Sequence, residues 1–209
     1  MNTLIIDCSN GLKVIALVNQ KQFEYTDTDA KKQSDSLLAS IDTLLKQAKI
    51  EVADLNVIAV CVGPGSFTGI RVAIATAKGL AIGTNAKVIT FNSFEAISAG
   101  LADRNYGIMV EGFGNNYYYY VKKYGKVFQG CTSPDKLTVL AKDITVYSNS
   151  PMLINAIKEF NIQEAKYCAT ESVKQKIEKQ QFINTNQIAP LYLRASQAEI
   201  ERLKNGNKV

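Results

Sequence analysis

The chain has 209 residues, 46% of them hydrophobic and 21% charged, with a formal net charge of +5. That composition suits a globular chain of one or two lobes with a sizeable core and excludes bulk disorder. It contains no histidine, which excludes Ser-His and Cys-His catalytic pairs and any histidine-held metal.

Cys8, Cys61, Cys131 and Cys168 lie far apart with no C-x-x-C pair, so zinc and iron–sulfur spacing is absent and the thiols read as reduced packing residues. The basic residues are scattered, with Lys31-Lys32 and Lys122-Lys123 the dense groupings. A solvated surface accounts for them better than a nucleic-acid footprint, so no direct nucleic-acid contact is expected. The first residues lack a basic-then-apolar signal layout, and no apolar run approaches the roughly 20 residues of a membrane span. A cytoplasmic chain with no membrane contact is expected.

In chain order, residues 3–6 form an apolar run closed by Asp7, and 14–18 form a second after the turn dipeptide Asn10-Gly11. This predicts a hairpin, with a third strand at 22–25. Leu37, Leu38, Ile41, Leu44, Leu45 and Ala48 make one apolar helical stripe, with Asp29 as its expected N-cap. The stripe suits the chain's own sheet or a partner's helix. Residues 57–62 read as a strand buried on both faces. They run into Gly63-Pro64-Gly65-Ser66-Phe67-Thr68-Gly69 and then a helix over 70–82, rich in Ala and Gly. A strand is predicted at 87–90 and a helix from Ser93 to about residue 102.

The composition turns polar at Asp103-Arg104-Asn105, and a second round begins. Strands are predicted at 106–110, 117–121, 127–128, 144–147 and 166–168. Helices are predicted after Ser133-Pro134, over 151–160, over 170–180 and from Ser196. Tyr117 to Tyr120 read as an alternating strand with aromatics on both faces, and Lys174, Lys176 and Lys179 as a solvated helix face. The order of elements predicts an α/β protein of two lobes.

The glycine loop is the place where the sequence points to chemistry. Gly63 and Gly65 permit close approach of another group. Ser66 and Thr68 add hydroxyls beside a helix start that attracts anions. Yet no Lys precedes the hydroxyls as a Walker A loop requires, and Gly69 falls one place late for the dinucleotide fingerprint. A tight strand-to-helix corner, an anion site and a docking surface all remain open here. Asp7 and Glu111, at the ends of the opening strands of the two rounds, are the candidate carboxylate pair.

The run from Val62 to Arg71, continued by Ala75-Thr76-Ala77-Lys78-Gly79-Leu80-Ala81, resembles the TsaB (YeaZ) family. Ile5-Ile6-Asp7-Cys8-Ser9 is similar to that family's opening strand with Asp-Thr-Ser, Cys8 standing for Thr. Gln33-Ser34-Asp35-Ser36-Leu37-Leu38 is similar to its His-Ser-Glu-x-Leu-Leu, and Pro190-Leu191-Tyr192-Leu193-Arg194 to its Pro-x-Tyr-Leu-Arg. Two departures stand out: Gln33 replaces the family's His, and Glu111-Gly112-Phe113-Gly114-Asn115-Asn116-Tyr117-Tyr118 replaces its Asp-Ala-Arg-x-x-Glu-Val-Tyr.

The resemblance implies a two-lobed, actin-like and RNase-H-like (ASKHA) α/β fold of mixed sheets flanked by helices. Its first lobe is expected over 1–102, with 187–209 packing back on it, and a smaller, diverged lobe over 103–186. It implies a non-catalytic subunit that binds and activates the catalytic subunit TsaD in threonylcarbamoyladenosine modification of tRNA. The ATPase TsaE is expected to join, and a homodimer to form when the chain is alone. No catalytic residue, metal or cofactor of its own is expected, and a nucleotide at the TsaD interface stays open. The implied partner surface comprises Ser34, Leu37, Leu38, Ile41, Leu45, Gly69, Ile70, Val72, Ala73 and Ala77. Gly63, Gly65, Ser66 and Thr68 are the candidate anion loop. A stand-alone ATPase or kinase of the same fold, or a peptidase-like enzyme, is the alternative.

Overall fold

The computed structural model describes residues 1–27, 33–112, 117–133, 141–156 and 162–194. β1 (Thr3–Asp7), β2 (Leu12–Val18) and β3 (Lys21–Asp27) form an antiparallel meander. Val18 pairs with Lys21, so Asn19-Gln20 is a two-residue turn, and both residues take positive φ, the geometry that matches strand twist. β4 (Val57–Cys61) joins β1 in parallel, and β5 (Lys87–Phe91) joins β4 in parallel. The sheet order is β3-β2-β1-β4-β5.

α1 (Gln33–Ala48) and α2 (Phe67–Ile82) are the crossovers on one face of this sheet. Alternation along the strands sends Leu4, Ile6, Val14, Ala16, Ile58 and Val60 to that face, where Leu37, Ile41, Leu45, Ile70, Ala73 and Ala77 meet them. The opposite residues, Ile5, Ile15, Ala59, Ile89 and Phe91, pack with Ala169 and Val173. These last two belong to α5 (Ala169–Glu178), after the second sheet in sequence.

β6 (Tyr106–Glu111), β7 (Tyr117–Lys123), β8 (Lys126–Thr132), β9 (Thr145–Ser148) and β10 (Ile162–Glu164) form a second sheet, ordered β10-β9-β6-β7-β8. β6, β7 and β8 are antiparallel neighbours, whereas β9 and β10 run parallel to β6. The wiring of the first sheet is therefore repeated. α3 (Ser93–Ser98) covers one face through Phe94 and Ile97, which meet Ile108, Val110 and Tyr118. Leu153 of α4 (Pro151–Ala156) covers the other, with Met109, Val121 and Val146.

Several elements differ from the sequence reading. α2 begins at Phe67 rather than 70, because the Ser66 hydroxyl accepts from the Gly69 amide and caps it. α3 is capped by Asn92, not Ser93, through a reciprocal box with Glu95, and stops at Ser98. The strand expected at 166–168 forms instead at Ile162–Glu164, against β9. Residues 169–178, grouped with the second lobe by sequence, pack on β5 and β1. The Asp29 cap, the helix after Ser133-Pro134, the end of the 151–160 helix and the helix from Ser196 lie outside the described residues. Among the described residues no helix is long and apolar enough to cross a membrane.

Candidate functional site

The Gly63–Gly65 corner is shaped by the chain's own backbone. A Cβ on Gly65 would overlap the Ser9 carbonyl, and one on Gly63 would lie 2.7 Å from Ile70 Cδ1 and 3.4 Å from the Leu191 carbonyl. The Ser66 amide donates to the Ser9 carbonyl at 2.8 Å, and the Ser66 hydroxyl is spent on the helix cap at 3.2 Å. Both glycines are needed so that the corner can close on the β1 loop and on residue 191. Ser9 therefore closes the side of the corner on which a Gly65 side chain would lie. Of the four loop residues, Ser66 and Thr68 are exposed.

Beside this corner a polar cluster joins the two sheets. Asp7, buried at the end of β1, accepts from the Ser9 amide at 2.8 Å and from the Tyr167 hydroxyl. Ser93 donates to the Pro64 carbonyl at 3.0 Å, and its hydroxyl oxygen lies 3.3 Å from that of Ser9. Cys61 lies 3.8 Å from the Ser93 hydroxyl and 3.9 Å from that of Tyr167. Burial, with the Asp7 charge beside it, pushes the Cys8 thiol up to about 12. The same two causes push Cys61 up, and Tyr167 well above its ordinary value. These thiols are protonated packing groups, not nucleophiles.

A cleft of about 190 Å³ opens over this cluster. Asp7, Ser9, Lys13 and Tyr167 line one side, and Val110 and Asn149 come from the second sheet. Lys13 is held by Glu24 at 3.2 Å and sits 5.8 Å from the Tyr167 ring centre. Glu111, the expected partner of Asp7, accepts instead from the Ser150 hydroxyl. Each carboxylate of the pair is thus engaged by an internal hydroxyl. Among the described residues no cluster of three Cys, Asp or Glu side chains could hold a metal ion.

The expected partner surface divides in two. Leu37, Ile41, Leu45, Gly69, Ile70, Ala73 and Ala77 are buried under α1 and α2, so these side chains build the chain's own core and present nothing outward. That is a correction, and its cause is geometric: the apolar stripe of each helix is the face that covers the sheet. Leu38 is 61% exposed and Val72 half-buried. Ser34 lies in α1, and its side chain is outside the described set.

Sequence reasoning passed over the opposite face of α2. Ala75 and Gly79 are exposed, Ile82 is 79% exposed, and a Cβ on Gly79 would meet nothing within 4 Å. α1 and α2 touch, so two neighbouring helices offer an outer surface. The 3.6-residue periodicity held the signal: positions 75, 79 and 82 fall opposite 70, 73, 77 and 81.

Two mixed five-stranded sheets of repeated order, flanked by helices and joined by a cleft, define a two-lobed α/β protein of the actin-like, RNase-H-like class. The family model described as "TsaD: tRNA N6-adenosine threonylcarbamoyltransferase" matches residues 26–138. A protein from Bacillus subtilis named tRNA threonylcarbamoyladenosine biosynthesis protein TsaB is 33% identical over 101 residues, 47% of this chain and 44% of that one. The Escherichia coli protein of the same name is 27% identical over 106 residues, 50% of this chain and 46% of that one. The matched stretch spans less than half the length of these curated relatives. A solved Pseudomonas aeruginosa structure described as similar to peptidase YEAZ superposes with a TM-score of 0.75 at 16% identity, covering 92% of this chain and 99% of that one. The structure described as YeaZ from the same organism gives 0.71 at 17% identity, with the same coverage. The chain belongs to the TsaB (YeaZ) family, within the group that the threonylcarbamoyltransferase model defines.

Proposed function

We propose that this chain is a partner subunit that binds a TsaD-type threonylcarbamoyltransferase and activates it for threonylcarbamoyladenosine modification of tRNA, with no catalysis of its own. The observation that carries the reading is the outer face of α2. Ala75 and Gly79 leave room for another backbone to approach, and Ile82 on α2 and Leu38 on α1 add exposed apolar area. The same face would serve a homodimer when the partner is missing. TsaE would join the pair, in the cytoplasm. A nucleotide, where one binds, would lie between the two chains.

The test mixes the purified chain with its cognate TsaD-type partner and measures complex mass by light scattering. A heterodimer is expected at micromolar concentration, and its absence there removes the reading. Gly79→Arg should leave the circular dichroism spectrum unchanged, because the site is open, and should abolish the complex. A Gly79→Arg chain that binds like wild type would move the partner surface elsewhere.

A further inference from the structure

The last described residues touch both sheets within seven positions. Ile188 is buried in the core under α1 and α2. The Leu191 amide donates to the Val62 carbonyl at 2.8 Å, at the end of β4. The Tyr192 ring stacks on Phe67, centroids 4.8 Å apart and planes 19° apart. The Tyr192 hydroxyl accepts from Arg71 Nε at 2.7 Å, and the guanidinium lies 5.6 Å from the Tyr192 ring and 6.0 Å from that of Phe67. The next residue, Leu193, packs into the core of the second sheet with Phe94 and Tyr118. Arg194 acts electrostatically on Tyr118 and Cys131 there.

Residues 188–194 carry no helix or strand, so side-chain seats and the backbone hydrogen bonds donated by Ile188 and Leu191 hold them. Tyr192 and Leu193 are consecutive, with Cα atoms about 3.8 Å apart, and the chain has no slack between them. We propose that residues 188–194 are a strap that couples the two lobes. Its clasp is Phe67, Tyr192 and Arg71 at the start of α2, and its far seat is Leu193 on the second sheet. Opening the clasp therefore loosens β7 and β8, which lie in the other sheet.

Amide hydrogen exchange of the full chain, read by mass spectrometry, tests this. Tyr192→Ala removes an aromatic pair and should raise exchange about three- to tenfold, both in residues 188–194 and in β7 and β8. β1 and β4 should stay protected as internal controls. Tyr192→Phe keeps the ring and loses only the Arg71 hydrogen bond, so a smaller rise is expected in the same segments. Should Tyr192→Ala fail to fold, Arg71→Ala, which alters an exposed side chain, gives the same readout. A rise confined to residues 188–194 and the start of α2, with β7 and β8 unchanged, overturns the coupling. So does an equal rise in all strands, β1 and β4 included.

Discussion

The first and second sheets share one strand order, β3-β2-β1-β4-β5 against β8-β7-β6-β9-β10, yet they are buried to different depths. β1 and β4 are buried at every position, between α1 and α2 on one side and α5 on the other. In the second sheet β6 is nearly as buried, and the edge strands β3 and β8 are exposed alike, but β7, β9 and β10 bury fewer of their positions than their counterparts β2, β4 and β5. Wiring and burial are thus separate properties. The same parallel and antiparallel pairings can be kept while helix cover, and with it most of the apolar stabilisation, differs between repeats.

Substitutions in the two sheets can break this contrast. Ile58→Ala, in fully buried β4, should cost about 2–5 kcal/mol in denaturant unfolding. A cost under about 1 kcal/mol would mean that the first sheet is no better packed than the second. Gly65→Ala should cost about 1–3 kcal/mol, since its methyl would overlap the Ser9 carbonyl. An unchanged midpoint would show that the corner has room after all. Tyr167→Phe removes a hydrogen bond to the Asp7 carboxylate and should cost about 1–3 kcal/mol; thermal melting reads it. At the small end, Phe128→Ala in β8 should stay within about 0.5 kcal/mol, and a larger loss would show that β8 is covered.

Alkaline pH sharpens the same comparison. The Cys8 thiol titrates near 12 in the fold, against an ordinary value of 9.0. Above pH 9 the unfolded chain releases a proton that the folded chain retains, so stability falls between pH 9 and 12. Cys8→Ala should flatten that fall in urea midpoints measured from pH 8 to 10.5. An unchanged slope would place the titration elsewhere.

Much of this architecture was legible in the sequence because apolar runs and turn dipeptides are local. Residues 57–62 announced a buried strand, and Tyr117 to Tyr120 alternate between the two cores as expected. Cap choice was less legible. Ser93 looked like a cap, but only the reach of Glu95 back to the Asn92 amide selects Asn92. Lys176 read as a solvated residue, whereas in the fold it pairs with Glu95 at 2.9 Å and ties α5 to α3. The site was the least legible part. An apolar stripe tells which helix face is buried, but not whether a sheet or a partner buries it; the family resemblance points Ile41 and Ala77 to a partner, whereas both lie in the core. The bond from Tyr167 to Asp7 spans 160 positions, beyond any motif.

The position of α5 has a consequence for synthesis. The first sheet is complete once β5 has been made, but the flank formed by Ile5, Ala59, Ile89 and Phe91 stays uncovered until the ribosome reaches Ala169. The nascent chain must carry an open apolar surface while the whole second sheet is being translated, a period in which chaperone capture competes with misassembly.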